Sequence, residues 1–370
     1  MNTPRTASPR SQIIDGFRGL AILAVLCFHY LYRWAPPRSA GDAYGYDAVH
    51  LWPAFGWSGV QLFFIISGLV ICMTLLRARD ALEFGIRRFA RLYPAFVVAA
   101  GVITLVLAIH DPLGLKVGLR DYLLTLTLLS NNIGHWNLVD GAFWSLTVEV
   151  RFYAYAALFH ALLGARFWWG LVALAAVGAM ARLVHPGAAN LLFIADWTAP
   201  FLIGVGIWFA VFRCEAWPAA VCAIAGLTAY GLHVPHADEP GGAALIASAF
   251  VLGGGGLMAL LLWKAPHLPL GPLAWLGRIS YSLYLYHQKL GVTVIHDLKR
   301  LGAPDLVAFL GATGVAVALG WLSFHLIEGP TQNAVLWLYG KLRRERRGTA
   351  PISLPQAVPI AWRDSANDPR

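Results

Sequence analysis

Ten stretches of this chain are long and apolar enough to cross a bilayer, and that density leaves little room for a soluble fold. A helix spanning the hydrocarbon core needs about 20 mostly apolar residues. Such runs occur at roughly 13–32, 58–76, 91–109, 143–163, 168–184, 191–212, 217–233, 242–263, 273–296 and 305–327. The chain is 58% hydrophobic and 13% charged, whereas soluble domains carry roughly 25% charged residues. The reading is all-α: a polytopic membrane protein with about ten transmembrane helices in one bundle. The segment 121–130 (DYLLTLTLLS) is too short to span and reads as interfacial or re-entrant. The runs 168–184 and 217–233 are marginal in length.

Basic residues set the expected orientation. Arg77, Arg79, Arg87, Arg88 and Arg91 cluster after the second run, and Lys341, Arg343, Arg344, Arg346 and Arg347 follow the last. Cytoplasmic loops carry an excess of Lys and Arg. An even number of crossings puts both termini on that side, together with Arg5 and Arg10. The opposite loops are lighter, with Arg33, Arg38, Lys116 and Arg120. The net charge of +9 therefore belongs to topology, and no basic-aromatic surface suits nucleic acid. The chain divides into a cytoplasmic N-terminal segment 1–12, a membrane domain 13–330, and a tail 331–370 that is basic and then, from 348, Pro-rich and disordered. No small-residue cleavage site follows the first run, which reads as a retained span rather than a signal peptide. Cys27, Cys72, Cys214 and Cys222 lack metal-ligand spacing and read as small buried hydrophobes, so no metal is expected. In the loop 110–142, Asn131, Asn132, His135, Trp136 and Asn137 lie close together and suit either interface anchoring or sugar contacts.

Against this apolar background a few ionisable residues stand out. Arg18 and His29 lie eleven residues apart in the first run, three turns plus about 20°, hence on one face and about 16 Å apart. Ionisable groups within a bilayer are rare and mark pathways or active sites. At about 1.5 Å per residue, His29 lies about 24 Å in from the cytoplasmic end, Glu149 about 9 Å below the outer face, and His287 about 21 Å in. Three distant segments thus converge in the outer third of a core about 30 Å thick. Ser145, Glu149 and Tyr153 share a face at i,i+4 steps, while Tyr281 and Tyr284 lie on the His287 side. A carboxylate beside a histidine suits general-base catalysis, because it fixes the tautomer and stabilises the imidazolium formed as a hydroxyl is deprotonated. The same pair also suits an ion pair between helices, or a proton relay in a secondary transporter. Arg87, Arg88 and Arg91 fall within about one turn, and their guanidinium forks suit a polyphosphate ligand or plain topogenic charge. Ser67 and Gly68 mark a place where backbones approach closely, shaping a channel or packing helices.

These residues sit in segments that resemble the acyltransferase-3 family, integral-membrane O-acyltransferases that modify cell-surface glycans. The segments are DGFRGLAILAVLCFH, GVQLFFIISGLVI (59–71), RRFARLYP (87–94), FWSLTVEVRFY (143–153) and LGRISYSLYLYH (276–287), in family order from Asp15 onward. The resemblance implies an acyl-CoA co-substrate, most often acetyl-CoA, reaching the enzyme from the cytoplasm. It implies a saccharide or lipid-linked sugar acceptor and a bacterial inner membrane location. Arg18 and His29 match the family's essential Arg/His pair, with His29, Glu149 and Arg18 expected to be catalytic. Arg87, Arg88 and Arg91 match the motif proposed to meet the CoA phosphates. Ser145, Tyr153, Tyr284 and His287 are expected near the substrate. A small cytoplasmic acceptor is an alternative within the family. The segment His325–Pro330 carries Gly329 where relatives often have a basic residue, so no role is assigned to Glu328. Many relatives carry a fused extracytoplasmic esterase-like domain, and this chain is expected to end in its short tail without one.

Overall fold

A backbone in hydrocarbon must satisfy its own N–H and C=O groups, which a helix does within one segment. The computed structural model describes residues 9–33, 52–128, 139–232 and 242–347, and within them the regular structure is helical throughout. Arg5, Arg38, the cluster from Asn131 to Asn137 and the tail beyond 347 lie outside the described residues.

Fourteen α-helices follow one another among the described residues. They are α1 (Pro9–Phe28), α2 (Gly59–Leu75), α3 (Ala81–Ile109), α4 (Leu119–Leu126), α5 (Trp144–Leu163), α6 (Phe167–Val184) and α7 (Pro186–Phe193). After these come α8 (Thr198–Trp208), α9 (Ala216–Leu232), α10 (Ala243–Lys264), α11 (Gly271–Arg278), α12 (Ser280–Arg300), α13 (Asp305–Ser323) and α14 (Gly329–Arg347). Six stretches are long and apolar enough to cross a membrane, seven if the bent pair α7 and α8 counts as one crossing. This is a multi-pass membrane protein.

Eight of the ten expected runs each fall on one of these helices, while 191–212 is divided between α7 and α8 and 273–296 between α11 and α12. The smaller count of long apolar stretches has identifiable reasons. α5 and α6 join through one tight turn into a continuous 44-residue stretch, Gly141–Val184. α9 has only 17 residues. α12 carries His287, Gln288, Lys289, His296, Asp297, Lys299 and Arg300, too many polar groups for an apolar span. The 121–130 segment holds the short helix α4. The basic stretch 331–347 belongs to α14, whose Arg343 reaches Asp80 at 3.8 Å and Glu83 at 3.4 Å at the start of α3.

Between helices in a membrane, close packing of small residues replaces much of the hydrophobic driving force. Gly68 of α2 lies so near α8 that a Cβ there would sit 2.1 Å from the Phe201 carbonyl oxygen. Gly204 answers from α8, where a Cβ would sit 2.0 Å from the Ile65 carbonyl. Two glycines thus let α2 and α8 cross backbone against backbone. Beside them Phe201 stacks on Phe152 of α5, ring centroids 3.9 Å apart. The packing reading of Gly68 holds, while the adjacent Ser67 turns away toward α5.

Candidate active site

α1 ends in a wide π-type turn, His29–Arg33, a local distortion that is frequent at functional sites. His29 opens that turn, so its ring is re-aimed relative to a straight helix. It meets His287 of α12, with His29 Nδ1 3.1 Å from His287 Nε2 and 3.1 Å from the Val25 carbonyl oxygen. His287 is fully buried. Its Nδ1 lies 2.7 Å from the Tyr284 carbonyl oxygen, and its own carbonyl accepts from Tyr30 Oη at 2.6 Å.

The partners determine the tautomers. A carbonyl oxygen only accepts, so His287 Nδ1 carries a hydrogen for Tyr284 O and, in the neutral ring, Nε2 is left as an acceptor. His29 Nδ1 then donates, shared between Val25 O and His287 Nε2. This leaves His29 Nε2 as the basic nitrogen. These protonation states are assigned from the hydrogen-bond network.

The expected pairing of His29 with Glu149 is not what the described residues show. Glu149 Oε1 accepts from Ser67 Oγ at 2.8 Å and from Tyr153 Oη. Counting residues gives depth but not azimuth. Glu149 faces α2, and the partner at His29 is the other histidine. Ser145 shares the Glu149 face as expected, yet its hydroxyl donates to Tyr284 Oη at 2.9 Å.

Two chambers result. The first, an arginine chamber of about 70 Å³, is lined by Arg18, Arg88, Arg91, Ser67, Ser145, Glu149, Tyr153 and Tyr281. The second, a histidine chamber of about 720 Å³, is lined by His29, Trp57, Trp144, Trp197, Gln288 and Lys289 among others. Val60 and Tyr284 line both. Tyr284 Oη is fixed at the partition by Ser145 Oγ and by the Ala142 carbonyl, each at 2.9 Å. Beside the arginine chamber, an apolar cavity of about 260 Å³ between α3 and α5 shares Arg88, Tyr153 and Tyr281.

The arginine motif does not form one patch. Arg87 is held by Glu83 through Nη2 at 2.7 Å and Nε at 3.0 Å, half exposed. Arg88 turns inward about 100° further round the helix. It is buried, donates to Thr74 Oγ1, and lies over the Tyr153 ring with Cζ 4.8 Å from the centroid. Arg91 lines the chamber with Arg18, whose Nη1 donates to Asp15 Oδ1 at 3.0 Å.

Several residues have partners that the sequence reading did not assign to them. Ser67 holds Glu149, and Asp15 holds Arg18 at an i,i+3 step readable in the sequence. Glu328 is buried and accepts from Ser282 Oγ at 2.7 Å. Asp140, just before α5, accepts the backbone N–H of Ala142 at 2.9 Å and of Lys289 at 3.0 Å. Burial pushes its carboxyl up to about 6, against the opposing pull of those two N–H groups and the Lys289 charge. No group of three or more metal-ligating side chains occurs among the described residues.

The chain matches a family model described as an acyltransferase domain over residues 12–325. The peptidoglycan O-acetyltransferase OatA of Listeria monocytogenes is 26% identical, the alignment covering 86% of this chain and 55% of that protein. Nodulation protein 10 of Rhizobium leguminosarum is 29% identical over 75% of this chain and 82% of its own length. Acyltransferase MdmB of Streptomyces mycarofaciens is 27% identical over 94% and 96% respectively. The chain spans about half the length of the peptidoglycan O-acetyltransferases that it matches. No solved structure matches it. The family model covers both the Arg18 and His29 helix and the helix that supplies His287, and the chain belongs to the acyltransferase-3 family.

Proposed function

We propose that this protein transfers an acyl group, acetyl first among them, from acyl-CoA to a hydroxyl of a saccharide or lipid-linked sugar, with His29 as the general base. The observation that carries this reading is the Tyr284 carbonyl–His287–His29 chain, which leaves a basic nitrogen on a ring lining a cavity of about 720 Å³. Small-molecule sites fall in that size range.

In this mechanism the acceptor hydroxyl occupies the histidine chamber. His29 Nε2 takes its proton as the oxygen attacks the thioester carbonyl. The imidazolium so formed keeps its Nδ1–H on His287 Nε2, which supports the charge as a carboxylate does in other dyads. Collapse of the tetrahedral intermediate expels the CoA thiolate, which recovers the proton from His29. Arg18 and Arg91 are the chamber cations that meet the donor's phosphates. Arg88 is stacked on Tyr153 and shapes the chamber wall, while Arg87 is engaged by Glu83. Glu149 balances the arginines and fixes Ser67 and Tyr153. Arg18 and His29 are separated by about 16 Å of helix, comparable with an extended CoA arm. That span lets phosphates and thioester be held at opposite ends of α1. In this reading the ten helical runs cross a bacterial inner membrane, both termini are cytoplasmic, and the arginine end faces the donor.

The test is acetyl transfer from labelled acetyl-CoA in inside-out vesicles, with native and His29→Ala protein at matched insertion. General-base contributions are typically about 10²–10⁴-fold, so the variant is expected to lose at least about a hundredfold. Full activity in His29→Ala sinks the base assignment. Absence of any CoA-dependent transfer by the native protein sinks the reaction.

A further inference from the structure

The histidine chamber holds more than the base. Trp144 and Trp197 pack with centroids 4.5 Å apart on one side, and Trp57 completes an aromatic lining. Two amides line the same chamber: Gln288 of α12, next to His287 and 5% exposed, and Asn190 of α7. Gln288 Oε1 and Asn190 Oδ1 are buried with no hydrogen-bond partner among the described residues. Buried polar atoms are almost always paired, and here two exceptions share one cavity.

Both residues are held in place by their surroundings. A Cβ at Gly141 would lie 2.5 Å from Gln288 Nε2 and 3.0 Å from Oε1, so the Gln288 amide occupies space that only glycine leaves. Asp140 ties α12 at that level through the Lys289 N–H. On the other wall, Arg151 of α5 donates to the carbonyl oxygens of Asn190, at 2.8 Å, and Leu191. The main chain is pinned at both places while the side-chain oxygens are left over. Both residues line the chamber, and the broad terminal torsion of an amide lets its oxygen reorient toward a ligand.

We propose that Gln288 and Asn190 are acceptor-specificity residues. They are paired hydrogen-bond acceptors for the O–H or N–H groups of a sugar ring on either side of the hydroxyl that His29 deprotonates. The assignment rests on the reading that the histidine chamber receives the acceptor. A sugar's apolar ring face lies against the Trp144 and Trp197 pair, while its donors satisfy oxygens that otherwise have none. A site built to hydrogen-bond a substrate donor rejects the analogue that lacks it, because its own polar groups are then left unpaired.

The experiment follows tryptophan fluorescence of the full chain in detergent during titration with methyl β-glucoside, its N-acetylamino counterpart, and a deoxy analogue lacking the neighbouring hydroxyl. Trp57, Trp144 and Trp197 report occupancy without any transfer chemistry. The two donor-bearing sugars are expected to bind, and the deoxy analogue about tenfold or more weakly. Gln288→Leu and Asn190→Leu should each weaken the donor-bearing sugars by about tenfold and flatten the discrimination. Gln288→Glu keeps an acceptor oxygen in a chamber that Arg151 and Lys289 also line and should retain discrimination. Should Gln288→Leu lose its native thermal transition, Gln288→Met and Asn190→Leu decide. Leu variants that bind and discriminate like the native protein overturn the proposal, as does a native protein that binds neither donor-bearing sugar. Binding with this pattern but without acetyl transfer would remove the transfer reading and leave the amide assignment standing. Transfer with intact discrimination in both Leu variants would remove the amide assignment alone.

Discussion

Two imidazole rings 3.1 Å apart give the site a direction for its proton. His287 is anchored at both ends, through Nδ1 on Tyr284 O and through its carbonyl on Tyr30 Oη. In the proposed mechanism it acts through His29, as a positioning residue. Replacing His287 by Phe removes the acceptor for His29 Nδ1–H, and kcat is expected to fall by about 10²-fold or more. His287→Gln offers an amide oxygen in its place and should recover part of that loss, with a shifted pH–rate profile in both variants. Equal activity of native and Phe proteins across pH would show that His287 merely packs. Asp140 supplies a second prediction. Its folded-state pKa of about 6 stands above the ordinary 3.8, so its contribution to stability is present in acid and is lost as pH rises from about 4 through 6. The melting temperature of the native protein should therefore fall relative to Asp140→Asn over that window, and parallel curves would contradict it. The arginine motif shows what single residues reveal before folding. Arg87 and Glu83 stand at i,i+4, so the capture of Arg87 was readable, as was the 100° step that separates Arg88. The His29–His287 contact was not, since it depends on a π-type turn and on the rotation of α12 against α1. Arg91→Ala is expected to raise the KM for acyl-CoA more than Arg87→Ala does, and the reverse order would reassign the phosphate contact.

Among whole elements, α2 and α8 show how a membrane helix pair is specified. Each contributes one glycine at the crossing, and the opposing atom in both cases is a main-chain carbonyl that has no rotamer to adopt. Gly204→Leu is expected to cost at least about 1–3 kcal/mol, the usual range for overpacking, read as a lowered melting temperature in detergent. A native melting temperature would mean that the helices separate freely. Apolar runs of about 20 residues announce their helices plainly, and eight of the ten runs identified in the sequence each lie on one. Their division is less legible. The Gly164–Arg166 turn divides α5 from α6 where the two runs part in the sequence, whereas α12 hides among the runs because its charged residues, Lys289, Asp297, Lys299 and Arg300, follow a Leu- and Tyr-rich start. The break between α11 and α12 falls inside one apolar run, and nothing in its composition marks it.

Across the molecule, the proposed mechanism divides one reaction between two chambers, the donor's charged end in one and the base in the other, with Val60 and Tyr284 common to both. Sequence alone placed Arg18 and His29 at opposite ends of a helix, and the structure supports two separate compartments at those ends. What sequence could not supply was the partition, since Ser145, Ala142 and Tyr284 meet only after α5 and α12 are packed. That partition carries a consequence for the membrane itself. Between the two hollows stand Val60 and a phenol ring held by two hydrogen bonds. Tyr284→Ala should join the hollows and let protons pass. Liposomes bearing the native protein are expected to hold an imposed pH gradient, and those bearing the variant to lose it within the same interval. An equally tight variant would show that the seal lies elsewhere.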